Sequence, residues 1–108
     1  MTTTDARLIA GFLLADFEME SKTTLRVLEA VPAEGLHYQP DPTSKTALGL
    51  LRHIVLEDEW LFNCIADGAF VPPPGDSGAC GIMDAPGAVA AYNQRVPAAL
   101  ARVRALPD

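Results

Sequence analysis

Apolar residues recur at three- and four-residue intervals along most of this chain, a period that predicts helices. Ala10, Leu13, Leu14, Phe17, Leu25, Leu28 and Val31 share one stripe of a first helix over about residues 5–31. Glu18, Lys22, Arg26 and Glu29 fall on its far side, and Glu18–Lys22 has the favourable i,i+4 order for an ion pair. Asp5 and the threonines before it are candidate N-caps. Pro32 ends the helix, because it disfavours helical geometry at Val31 and has no backbone N–H.

Residues 33–45 lose the periodicity among Gly35, Pro40, Pro42 and a Thr-Ser pair, and read as a loop. A second helix is predicted over about 46–66, opened by the Thr46 hydroxyl and closed at Asp67-Gly68. Leu48, Leu51, Ile54, Val55, Leu61, Phe62 and Ile65 give it a broad apolar face. Leu50, His53, Trp60 and Cys64 line a second face, leaving a narrow polar wedge of Arg52, Glu59 and Asn63. A helix apolar around most of its circumference is buried between neighbours. That places His53 and Glu57 towards protein or a cavity. A long crossover follows, with Pro72-Pro73-Pro74-Gly75 stiff and extended and Gly78-Ala79-Cys80-Gly81 locally mobile. The third helix is predicted over about 85–106, with Pro86 in its first turn and Val89, Tyr92, Val96, Leu100 (or Ala99), Val103 and Leu106 as its stripe. Pro97 predicts a kink or break within it, and Arg95, Arg102 and Arg104 are expected to face solvent. No strand of useful length is readable. The class is all-α: one helical-bundle domain over residues 1–108.

Composition narrows the function classes. At 108 residues and 49% hydrophobic, the chain carries enough apolar material for one core. No apolar run approaches the ~18–20 residues that span a bilayer. The start, Met1-Thr2-Thr3-Thr4-Asp5, lacks the basic and apolar parts of a secretory signal, so the expected address is cytoplasmic. A net charge of −6 disfavours nucleic acid, whose phosphates require a basic patch. Cys64 and Cys80 match no C-x-x-C spacing and read as reduced thiols.

The candidate chemistry centres on His53 and Glu57. An imidazole and a carboxylate four residues apart project from the same helix face, so both reach one cation, or Glu57 orients the ring from the outer shell. His37 in the first loop reads as a surface or packing residue able to fold over that site. Cys64 lies about 16 Å further along the helix and cannot share an ion with His53. Glu20 borders the first stripe, and Trp60 and Tyr92 read as core or interface aromatics. Asp58 sits inside an apolar stripe, where a carboxylate needs a partner: an arginine across the bundle, a symmetry-related chain, or a metal. Ser77 and Cys80 have no adjacent base. No G-x-S-x-G, P-loop or dinucleotide motif is present.

Leu25-Arg26-Val27-Leu28-Glu29-Ala30-Val31-Pro32, Tyr38-Gln39-Pro40, Lys45-Thr46-Ala47-Leu48-Gly49 leading to His53-Ile54, and Trp60-Leu61-Phe62-Asn63-Cys64-Ile65-Ala66-Asp67-Gly68 carry a resemblance. In that order they resemble the DinB-like (YfiT-like) superfamily of metal-dependent helical bundles, over about residues 8–106 and most specifically 25–68. The resemblance implies a four-helix, up-up-down-down bundle, commonly a homodimer. One histidine of its second helix joins two of the fourth around a divalent metal, zinc or nickel. Only His53 matches a ligand position; the fourth helix and its histidine pair have no counterpart up to Asp108. Family activities include thiol-dependent transferases, isomerases and hydrolases, in which a metal activates a low-molecular-weight thiol such as mycothiol or bacillithiol towards a small-molecule substrate. The alternative reading is a metal-free helical interaction module that dimerises through the face left by the missing helix.

Overall fold

Three α-helices follow in order: α1 over Thr3–Glu29, α2 over Ala47–Asp67 and α3 over Ala85–Arg104, with a short 3₁₀ turn at Ala33–Gly35. The computed structural model describes residues 1–73 and 80–107, and no strand occurs among them. Pro74, Gly75, Ser77, Gly78, Ala79 and Asp108, which figure in the sequence expectations, lie outside the described residues. The helices match the predicted ones to within two residues at each end.

Local chemistry explains those ends. Thr2, rather than Asp5, caps α1: its hydroxyl accepts from Asp5 N at 3.0 Å, and the Asp5 carboxylate accepts from Thr2 N at 3.1 Å. This reciprocal box satisfies two backbone donors that a helix start otherwise leaves unpaired. Thr46 caps α2 by accepting from Gly49 N at 3.0 Å. Gly68 closes α2 at φ 71°, the left-handed conformation in which a Cβ is strained. Asp84 caps α3 by accepting from Gly87 N at 2.8 Å, with Pro86 in the first turn. Pro97 does not break α3, which continues to Arg104. Pro97 is exposed at the edge of a groove that Leu25, Val96 and Leu100 also line, and packing of the buried Val96 and Leu100 holds the helix together despite one missing hydrogen bond.

α3 is the central element: it packs extensively on α2 and also against α1. Leu28, Leu51, Val55, Ile82 and Val96 are the largest fully buried side chains, and each contributes about 1.5–3 kcal/mol on burial. Phe17 of α1 meets Phe62 of α2 edge-on, with ring centroids 4.5 Å apart. Ile82 belongs to the crossover, not to a helix. Arg52 Nε donates to its carbonyl at 2.7 Å and an Arg95 guanidinium N–H to the Cys80 carbonyl at 3.2 Å, so two arginines fasten this segment while Ile82 plugs the core.

Several expectations need correction. Leu13, Leu61, Ile65 and Leu106, assigned to apolar stripes, are exposed. Glu18 pairs with Arg104 rather than with Lys22, joining α1 to α3. Arg102 and Arg104 are exposed as expected, yet Arg102 also bonds Asn63 and Asp67, while Arg95 is partly buried and lies 3.7 Å from Glu59. The radius of gyration, 15.7 Å, exceeds the roughly 13 Å expected for a compact chain of this length. The amino-terminal half of α1 leaves Leu8, Ile9, Phe12 and Leu13 exposed.

Candidate functional site

α2 carries the candidate site, so the geometry follows from where that helix turns each side chain. Leu48, Leu51, Val55 and Phe62 face α3 and are buried. His53 and Glu57 therefore project away from the core, on a common face one turn apart. His53 Nε2 lies 2.6 Å from Glu57 Oε2, with the two side chains 44% and 54% exposed. Sequence reading placed this pair against protein or a cavity; it stands at the solvent boundary instead, on a side of α2 that no described helix covers, although Leu56 and Cys64 there are buried. A divalent ion held by both atoms needs them roughly 3 Å apart, given bonds of about 2.0–2.2 Å, a small rotation from the present contact.

Other candidate donors do not converge there. His37 is exposed in the turn after the 3₁₀ helix, although Leu48 N→Leu36 O and Ala47 N→Tyr38 O, both 2.9 Å, tie its flanks to the start of α2. Glu20 is exposed on α1. Cys64 is buried and Cys80 partly so, both as free thiols. Among the described residues, no three His, Cys, Asp or Glu side chains form a group able to hold a metal. Two donors fall short of the three protein ligands that a catalytic zinc normally takes. His53 and Glu57 thus supply two of the three protein ligands of such a centre.

A comparison with protein-family models, curated proteins and solved structures returns no match. What the chain does must therefore be argued from its own side chains.

The best-defined polar cluster lies one residue from Glu57. Tyr92 of α3 donates its hydroxyl hydrogen to Asp58 Oδ2 at 2.8 Å, and Thr24 of α1 bonds the same tyrosine oxygen. Burial pushes the Asp58 carboxyl above its ordinary range; the tyrosine hydrogen bond opposes that shift and neighbouring Glu57 adds to it. Tyr92 is itself raised well above the usual phenol range, first by burial and then by the bond and charge of Asp58. Sequence reading flagged Asp58 as needing a partner and considered arginine; the partner is a tyrosine. The i to i+34 spacing carries no local signal, so Tyr92 was not legible as its partner.

Two further polar contacts shape the surroundings. Trp60 Nε1 donates to Val71 O at 3.0 Å and its ring meets Phe70 edge-on at 6.3 Å, laying the chain after Gly68 back along α2. Asp41 accepts from Thr43 N, Thr43 Oγ1 and Ser44 Oγ at 2.9, 2.7 and 2.8 Å, which holds its carboxyl below the usual range and shapes the turn leading to the Thr46 cap. No helix of the described residues is long and apolar enough to cross a membrane.

Proposed function

We propose that this chain is a DinB-like bundle subunit in which His53 is one ligand of a divalent-metal site and Glu57 is its second donor or its orienting outer-shell partner. The observation supporting this reading is the 2.6 Å His53–Glu57 contact on the uncovered side of α2. That spacing pre-positions an imidazole and a carboxylate for one ion without repacking of the core. The remaining donor comes from a second copy of this chain, in keeping with the homodimer that the resemblance implies. The activity that goes with the reading is of the thiol-dependent transferase or hydrolase type, on a small electrophile, with zinc or nickel and a low-molecular-weight thiol as cofactors. Titration of the purified chain with zinc and with nickel against a chromogenic chelator tests it. Stoichiometric binding that is lost in His53→Ala and weakened in Glu57→Gln is the expected result. Binding that His53→Ala leaves intact, or no binding at all, overturns it.

A second reading rests on a separate observation. Leu61 and Ile65 of α2 and Ile9 and Leu13 of α1 are exposed, and Ile65 also lines a groove of about 620 Å³ with Ala6, Ala10, Leu14 and Val103. Exposed apolar residues in such number mark a contact surface. On this reading the chain is a metal-free interaction module that dimerises through that face. Metal-independent dimerisation, abolished by Ile65→Glu, is its expected signature.

A further inference from the structure

α1 is apolar on two opposite sides, and only one of them meets the bundle. Leu14, Phe17, Leu25 and Leu28 turn towards the core. Leu8, Phe12, Ala15 and Met19 follow a 4-3-4 spacing on the reverse side, and the three large ones are 69%, 72% and 69% exposed. The alternation of four- and three-residue steps is that of the core positions of a two-helix seam, in which apolar side chains interlock. The face is distinct from the Leu61–Ile65 side considered above.

We infer that a second copy of this chain occupies it, its α1 running antiparallel to the first, with the two-fold axis passing between residues 13 and 14. In that register residue i faces residue 27 − i. Leu8 then meets Met19 of the second copy, and Phe12 meets Ala15, a large residue against a small one. Asp5 faces Lys22 at both ends. A parallel pairing instead sets Phe12 on Phe12, Asp5 on Asp5 and Lys22 on Lys22, stacking like charges. The side chains are thus self-complementary in size and in sign in one direction only. Lys22 is available because Glu18, the residue four positions before it, is engaged with Arg104. Asp5 sits on the first turn of α1, held in place by its bond from Thr2 N. Two apolar layers related by symmetry, with their charged ends, reach only the lower end of specific interfaces, about 1,000–1,200 Å² in total. The dimer is therefore concentration-dependent, and its interface is isologous, as two-fold symmetry requires.

Sedimentation equilibrium of the full chain over a range of concentrations tests this. The wild type is expected to pass from monomer to dimer. Phe12→Glu weakens dimerisation at least tenfold with an unchanged far-UV spectrum, and with an unchanged thermal midpoint at concentrations where the wild type is monomeric, since Phe12 touches none of the core. Ile65→Glu, on the other face, leaves the dimer intact. In a Cys80→Ser background, Leu8→Cys and Met19→Cys together cross-link two chains on mild oxidation, while either alone does not. A chain that stays monomeric throughout overturns the inference. So does a dimer that survives Phe12→Glu, one lost with Ile65→Glu alone, or a cross-link formed by Leu8→Cys by itself, which indicates a parallel pair.

Discussion

Asp58 shows how one carboxylate couples charge to packing. It is half-buried, bonded to Tyr92 and raised above its ordinary range chiefly by desolvation. A group whose folded-state pKa is raised favours the folded state most below its unfolded pKa, near 3.8, and that contribution disappears as pH rises through the folded value. Asp58→Asn keeps the acceptor for the tyrosine hydroxyl and removes the charge. It is expected to flatten that part of the stability profile and to stabilise the chain at neutral pH by less than about 1 kcal/mol, since the site is partly solvated and screened. Chemical denaturation at several pH values measures both effects. Tyr92→Phe is expected to cost about 1–2 kcal/mol and to push Asp58 further up, because the hydrogen bond opposing the shift is gone. His53 and Glu57, one turn away, carry little stability of their own as an exposed i,i+4 pair. Their value is in positioning.

Among the elements, α2 is the one whose ends are most clearly written. Thr46 and Gly68 were both recognisable from the sequence, because a hydroxyl before an apolar run and a glycine after it satisfy local backbone needs. Gly68→Ala places a Cβ at φ 71° and is expected to cost about 1 kcal/mol in thermal denaturation, with no change at the distant His53–Glu57 pair. α3 followed the predicted stripe and runs without a break through Pro97, where a kink or a break was expected. The rule about proline describes an isolated helix, whereas here Tyr92, Val96 and Leu100 are clamped from both sides. The exposure of Leu8, Phe12 and Met19 was not legible either. Their spacing was present in the sequence, but the stronger Leu14–Phe17–Leu28 stripe accounted for the helix first.

At the scale of the whole molecule, the crossover is a structural component rather than a passive connection. Ile82 is buried with the helical core, Arg52 bonds its carbonyl, and Arg95 bonds that of Cys80 two residues before it. Arg52→Ala is expected to leave helix content unchanged while accelerating proteolytic cleavage within residues 80–84, followed by mass spectrometry of the early fragments. Sequence reading counted Arg52 in a polar wedge and Cys80 in a mobile tract, because neither residue reveals which distant carbonyl it meets. The three helices leave two apolar surfaces uncovered, one beside the Leu61–Ile65 side of α2 and one on the back of α1. The proposals above assign them different roles, and the Phe12→Glu and Ile65→Glu variants separate those roles.

By itself the amino-acid order determined what depends on neighbours within a turn or two: three helices, their caps, the crossover's place in the chain, and a histidine four residues from a carboxylate. Capping and periodicity act over a few residues, so they are readable without coordinates. Only the tertiary structure decided that Tyr92 satisfies Asp58, that Ile82 closes the core, and that His53 and Glu57 stand at the solvent boundary. Each of these depends on which distant segments come to lie side by side, and hydrophobic burial, being non-directional, does not write that choice into any local pattern.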